Sequence, residues 1–210
     1  MIKKILFSLL VLSTFVFFSQ QVKAQEFGGG LLGGLVGSQV AGDPSSGYHK
    51  LGIYGGLFVN RQFTLKSGAQ LEMYYIQKGA RENPTDENGN FQYLMRVSYL
   101  EIPVLYNFTL NKTLILTGGI AYSYLIGTPY EEANFSTSVP DTEFYQHSAT
   151  FILGIEYKIN NQLSASFRTN NSITPIRPHA SGATRFANQG QYSDALTIGL
   201  TYNFFNQKLN

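Results

Sequence analysis

The most constraining feature of this chain is a period-two alternation of apolar and mostly uncharged side chains that returns along most of its length. Leu71, Met73 and Tyr75 alternate with Gln70, Glu72 and Tyr74 between Gln70 and Lys78, the pattern of a β-strand with one apolar face. It recurs through Leu51, Ile53, Leu57 and Val59; through Leu100, Ile102, Val104, Tyr106 and Phe108; and through Leu114, Leu116, Ile120, Tyr122 and Tyr124. His147, Ala149, Phe151, Leu153, Ile155 and Tyr157 form another such face, Leu163, Ala165 and Phe167 a weaker one, and Leu196, Ile198, Leu200, Tyr202 and Phe204 the last. The Gly-rich stretch from Phe27 to Val40 is the poorest candidate, since Gly has no side chain to pack.

The connections give these strands an order. Asn60-Arg61, Asn111-Lys112 and Asn160-Asn161 read as tight turns, where Asn tolerates the left-handed backbone of a short hairpin. The longer links Ala41–Gly47, Gly79–Gln92, Thr128–Thr142 and Pro175–Gln191 are rich in Gly, Pro, Asn, Ser and Asp. Long and short links alternate, which predicts eight strands with both ends on the short-turn side. That asymmetry belongs to an antiparallel, up-and-down transmembrane β-barrel with short periplasmic turns and long extracellular loops.

A water-soluble eight-stranded barrel around a ligand is the competing architecture. The second parity separates the two. A wet face should be about a quarter charged or more, yet here it reads Gly52, Tyr54, Gly56; Thr117, Gly119, Ala121, Ser123; and Thr197, Gly199, Thr201, Asn203. Charged residues are 13% of the chain and aromatics 14%, against about 25% charged in ordinary soluble domains. Tyr75, Tyr106, Phe108, Tyr145, Tyr157, Tyr202 and Phe204 sit near the ends of apolar faces, where a membrane barrel carries aromatic girdles.

Residues 1–24 carry Lys3 and Lys4, an apolar run from Ile5 to Phe18 and a small residue, Ala24, the layout of a cleaved secretory signal peptide. The run is shorter than the ~20 residues of a spanning helix. The barrel is then expected over 25–210. Removing Lys3, Lys4 and Lys23 leaves twelve basic and thirteen acidic residues, a net charge of −1, so no basic surface remains to recruit nucleic acid.

Eight strands enclose a space only wide enough for their own side chains. Lys66, Glu72, Glu101, Glu156 and Arg168 are expected to point into this lumen and to neutralise one another there, because an unpaired buried charge is costly. The third long loop carries Glu131, Glu132, Asp141 and Glu143, and the fourth Arg177, His179 and Arg185. These charges can pair with each other or engage a partner or the phosphates of lipopolysaccharide.

Signals for chemistry are weak. The chain has no Cys, and His49, His147 and His179 lie on separate segments without ligands at metal spacing. Asp86-Glu87-Asn88-Gly89-Asn90 resembles a calcium loop only until Phe91, which stands where the pattern needs Gly. His49 and His179, near Asp43, Ser45, Ser46 and Ser181, are the residues a lipid-modifying enzyme could use at the rim, but no nucleophile motif links them. No cofactor is expected.

The Gly-rich first strand, Leu51-Gly52-Ile53-Tyr54-Gly55-Gly56, Gly68-Ala69-Gln70-Leu71-Glu72-Met73-Tyr74-Tyr75 and, above all, Tyr99-Leu100-Glu101-Ile102-Pro103-Val104-Leu105 resemble the PorT-like outer-membrane β-barrel family of Bacteroidetes. The resemblance runs from about Phe27 to Phe205 and implies an outer-membrane location; the family's founding member serves a type IX secretion and gliding apparatus. Pro103 within a strand predicts a bulge or irregularity, and Leu196 to Phe205 resembles the signal read by the barrel-assembly machinery. The expectation is a non-enzymatic structural or interaction protein of the outer membrane, an accessory of a larger secretion or transport complex. Its partners would be outer-membrane lipid, lipopolysaccharide, the assembly machinery and other outer-membrane proteins. A narrow solute channel and a lipid-modifying enzyme are the alternatives.

Overall fold

Alternating side chains and short turns produce antiparallel strands that pair with their sequence neighbours, and the first pairs with the last. The computed structural model describes residues 27–43, 47–134, 136–137, 143–178, 183–185 and 188–204; the proposed signal peptide lies outside them. In chain order the strands are β1 (Phe27–Ala41), β2 (Lys50–Gln62), β3 (Ser67–Glu82), β4 (Tyr93–Thr109), β5 (Leu114–Ala133), β6 (Ser136–Thr137), β7 (His147–Lys158), β8 (Leu163–Ser172), β9 (Ala183–Arg185), β10 (Asn188–Gly190) and β11 (Tyr192–Asn203). The eight long ones form a closed antiparallel ring, sealed by β1 against β11 from Gly30↔Asn203 to Ala41↔Tyr192. The short strands β6, β9 and β10 decorate the long-loop end and were not legible in the alternation.

The outer wall is apolar. Leu51 is 69% exposed, Ile198 64% and Ile120 60%, and Leu35, Ile53, Leu57, Val104 and Leu153 join them around the circumference. In water this belt would be a continuous hydrophobic surface far beyond what a monomer leaves uncovered; against hydrocarbon it is the required face. Tyr106, Phe108, Tyr157, Tyr202 and Phe204 ring its short-turn edge, while Tyr122 and Tyr124 hold His147 at the other, with the Tyr122 hydroxyl 2.6 Å from His147 Nδ1.

Inside, the lining differs from one side of the barrel to the other. Strands β1 to β4 contribute Leu32, Val36, Val40, Tyr54, Phe58, Tyr74, Ile76, Val97 and Tyr99 to one apolar cluster. Strands β7, β8 and β11 contribute Ser148, Thr150, Ser164, Ser166, Ser172, Ser193, Thr197 and Thr201, all buried. The expected lumen of small hydroxylated residues is therefore only half of the interior.

Four local readings change. The Gly-rich stretch is a full strand, because its glycines permit close approach: a Cβ on Gly34 would overlap the Ile198 carbonyl of β11, and Gly199 lies beneath the Tyr54 side chain, the aromatic covering the space that Gly leaves. Strand β3 runs on to Glu82 and β4 begins at Tyr93, so the second long loop is shorter than its composition suggested. Asn60 and Arg61 belong to β2, paired with Gly28 and Phe27, and the turn follows at 63–66. The Asn turns also work differently. Among described residues only Asn90 and Asn134 combine a side chain with positive φ. Asn111 Oδ1 instead accepts the backbone N–H groups of Thr113 and Leu114 (both 2.9 Å), and Asn160 Oδ1 those of Gln162 and Leu163 (both 2.8 Å), so the side chain imitates a backbone turn.

Pro103 interrupts the ladder without shifting it: β3 and β4 pair at Leu71↔Val104 and Tyr74↔Glu101 in one register. The true register shift lies between Arg96 and Ser98, opposite Gly127 with φ 71°.

The apolar belt makes a prediction that separates lipid from water. Ile120→Arg, at mid-height of β5, should lower stability by about 2–4 kcal/mol in urea titrations of vesicle-inserted protein. Leu65→Arg, on the exposed short turn, should have little effect.

Candidate functional site: the lumen and its two ends

In a strand bordering a sealed interior, every second residue is committed to that interior. On β3 this parity reads Gln70, Glu72, Tyr74, Ile76 and Lys78, and on β4 it includes Tyr99, Glu101 and Pro103, all buried. Glu72 reaches across the barrel to Arg168 on β8, with Oε2 2.8 Å from Nη1, and its other oxygen accepts from Gln70 Nε2 at 2.6 Å. Glu101 is more heavily bonded. Oε1 accepts from Lys78 Nζ at 2.6 Å and from Ser123 Oγ at 2.9 Å, and Oε2 accepts from the Tyr74 hydroxyl at 3.0 Å. Each carboxylate thus has one cation and at least one neutral donor, the condition under which buried charge is tolerated.

Two residues of the expected network fall outside it. Lys66 sits in the β2–β3 turn and is exposed; the hairpin turns at 63–66 rather than at Asn60-Arg61, which takes Lys66 out of the wall. Glu156 does face inward and is buried, but among described residues it forms no ion pair. It lies at the short-turn end, on a cavity of about 450 Å³ shared with Arg61, Lys112, Lys158, Asn160 and Asn203. The cation that sequence reasoning missed is Lys78. Its parity with Glu72 was the available signal, obscured by placing the loop immediately after it.

At the other end, long loops fold over the opening. Glu131 and Arg177 form a bidentate pair at 2.8 and 3.0 Å, the Tyr93 hydroxyl donates to Glu131 at 2.5 Å, and Arg177 Nε donates to Gln191 Oε1 at 2.6 Å. Gln191 in turn donates to the Gly42 carbonyl at 3.0 Å, and the Arg177 guanidinium lies 4.7 Å from the centre of the Phe144 ring. One arginine so ties three long loops to the tops of β4 and β5. Burial, reinforced by the hydrogen bond to Glu131, raises the Tyr93 phenol above its ordinary value and keeps it a donor. Burial opposes the Arg177 charge, but the hydrogen bonds and charge of Glu131 outweigh it and hold the guanidinium above its usual value.

The remaining loop residues do not join this cap. Arg185 pairs with Asp194 at 2.8 and 2.9 Å and also donates to the Ser172 carbonyl at 3.1 Å. Glu132 points away from the lumen and accepts from Tyr130. Asp141, His179, Ser45, Ser46 and Ser181 lie outside the described residues, and His49 is exposed.

The lumen pair predicts an asymmetric mutational response. Arg168→Met strands Glu72 as a buried charge and should cost about 3–5 kcal/mol in urea unfolding, whereas Arg168→Met combined with Glu72→Leu should recover most of that loss.

A family profile and the fold of one solved structure, Neisserial surface protein A, agree with this architecture. The profile of the outer membrane protein beta-barrel domain family matches residues 18–177. No curated protein sequence matches the chain. Among solved structures, Neisserial surface protein A aligns over 85% of this chain and 97% of its own at 9% identity and a TM-score of 0.53. Ail, the attachment invasion locus protein of Yersinia pestis, aligns over 85% and 99% at 12% identity with a TM-score of 0.48. OprG of Pseudomonas aeruginosa aligns over 85% and 94% at 13% identity with a TM-score of 0.39. With a closed ring of eight strands, an apolar outer belt and a profile match over most of its length, the chain belongs to the outer membrane protein beta-barrel domain family and is placed by that membership in the outer membrane.

Proposed function

We propose that this protein is a non-conducting, non-enzymatic scaffold of the outer membrane, a structural or interaction subunit that acts through its outer wall and long loops. The observation that carries the reading is the filled lumen. The Glu72–Arg168 pair crosses its middle, the Glu101–Lys78 pair joins two neighbouring strands of its wall, and Ile76, Met95, Tyr99, Ile176 and Tyr192 are buried almost without exposure. A water path would have to break paired charges in a low-dielectric interior, which costs several kcal/mol for each partner left bare. Export through cleavage after Ala24, kinship with the PorT-like barrels of Bacteroidetes and service as an accessory of a larger secretion or transport complex belong to the same proposal. The Leu100-Glu101-Ile102-Pro103 stretch supports the kinship, and there Glu101 is the carboxylate at the centre of the buried network.

Planar-bilayer recording tests the closed lumen: the purified protein should show no steady single-channel conductance, and a large, sustained one would overturn the reading. Purification from native membranes in mild detergent should bring other outer-membrane proteins with the barrel, and recovery of the barrel alone would remove the subunit role.

A further inference from the structure

One seam of the barrel wall is incomplete. The β2–β3 ladder runs from Gln62↔Gly68 to Tyr54↔Ile76 and stops there, so the first residues of β2, Lys50 to Ile53, have no ladder partner on β3. The neighbouring β3–β4 ladder continues to Glu82↔Tyr93. The seam opens into a cavity of about 330 Å³ whose lining includes Lys50, Gln77, Lys78, Arg81, Arg96 and Ser98.

Three cations besides the Glu101-paired Lys78 meet in this notch. Lys50 Nζ donates to the Leu51 carbonyl at 2.6 Å, Arg81 Nε donates to Asn83 Oδ1 at 2.8 Å, and the Arg96 guanidinium lies 5.4 Å from the centre of the Tyr130 ring. Arg96 and Arg81 both lie within electrostatic reach of Lys50. Among described residues none of the three forms an ion pair, whereas Lys78, Arg168, Arg177 and Arg185 each hold a carboxylate. The recess thus presents three positive charges that no carboxylate holds in an ion pair among the described residues, beside the Lys78–Glu101 pair.

Its height identifies the occupant. The outward positions of β4 run Phe108, Tyr106, Val104, Ile102 and Leu100, then Ser98 and Arg96. An apolar band of about 25 Å, on strands rising ~3.4 Å per residue at a tilt of 35–45°, takes about nine or ten residues, the distance from Phe108 to Ser98. Arg96 is the next outward residue and so stands at the headgroup level of the leaflet on the long-loop side. Below it Leu51 and Ile53 present apolar faces beside the same seam.

We propose that this notch binds the phosphate of an outer-leaflet glycolipid, with Arg81 on β3 and Arg96 on β4 donating, Lys50 supplying the third positive charge, and the acyl chains lying against Leu51 and Ile53. Guanidinium groups suit phosphate oxygens because they donate two hydrogen bonds in one plane. The assignment rests on the outer-membrane orientation in which the long loops face outward.

The test uses full-length protein inserted in phosphatidylcholine nanodiscs that contain either bisphosphorylated lipid A or the same lipid after phosphatase treatment. Bound glycolipid is counted by native mass spectrometry after release into mild detergent, and insertion is checked by heat-modifiable gel migration. Wild type should retain the phosphorylated lipid in preference to the dephosphorylated one. Arg81→Gln with Arg96→Gln should weaken retention by roughly fivefold per charge removed, while Arg61→Gln, at the opposite end, should leave it unchanged. Millimolar inorganic phosphate should not displace the lipid. Equal retention of the two lipids by inserted wild type, an equal loss in Arg61→Gln, or displacement by inorganic phosphate would each overturn the site and leave the barrel intact. Failure of the wild type to insert would overturn the barrel reading itself.

Discussion

Everything in this molecule depends on the hydrogen-bonded contact between its first and last strands. A sheet in hydrocarbon has no water to satisfy an open edge, so a strand at such an edge would leave several peptide groups unpaired, each at a cost of kcal/mol. Pairing β1 with β11 over twelve residues in succession removes both edges. The glycines of β1 serve this contact, since side chains at Gly30 or Gly34 would collide with the backbone of β11.

Closure then dictates the interior. In its sealed middle a ring of eight strands leaves no room for solvent to screen charge, so Glu72 and Glu101 each need a cation within hydrogen-bond reach, whereas Glu156 borders the cavity at the short-turn end. Glu72 finds one 96 residues away on the far wall, and Glu101 finds one on the adjacent strand. These bonds pin β3 to β8 and β4 through the lumen. The apolar cluster from β1 to β4 fills the volume on one side, and the hydroxyls of β7, β8 and β11 line the other. The loop cap extends the same logic above the membrane, where Arg177 bridges Glu131, Gln191 and the Phe144 ring. At the unfinished β2–β3 seam, Lys50, Arg81 and Arg96 form no ion pair among the described residues.

Much of this was legible in the residues. The eight strands, their antiparallel order and the lipid-facing parity followed from period-two alternation and from connections that alternate in length, because both are local consequences of a pleated backbone. The inward direction of Glu72, Glu101, Glu156 and Arg168 followed from the same parity. Strand ends were less legible. Lys78 and Arg81 lie where strand pairing outlasts the apolar pattern, since residues above the lipid no longer need apolar side chains. Lys66 was misplaced because Asn60-Arg61 has the composition of a turn, whereas the hairpin closes at the Thr64–Ser67 contact, in which Thr64 Oγ1 accepts the Ser67 N–H at 3.1 Å.

The sequence by itself therefore determined the architecture and the membrane face, because alternation, turn composition and scarcity of charge act through neighbouring residues. Only the tertiary structure decided which charges meet. Parity says that a side chain points inward, but the partner it reaches depends on strand register and on the diameter of the closed ring, which are properties of the whole sheet. Glu72 and Arg168 face each other, Glu156 faces an open cavity, and Lys50, Arg81 and Arg96 converge on one seam because the barrel closes in this register and no other.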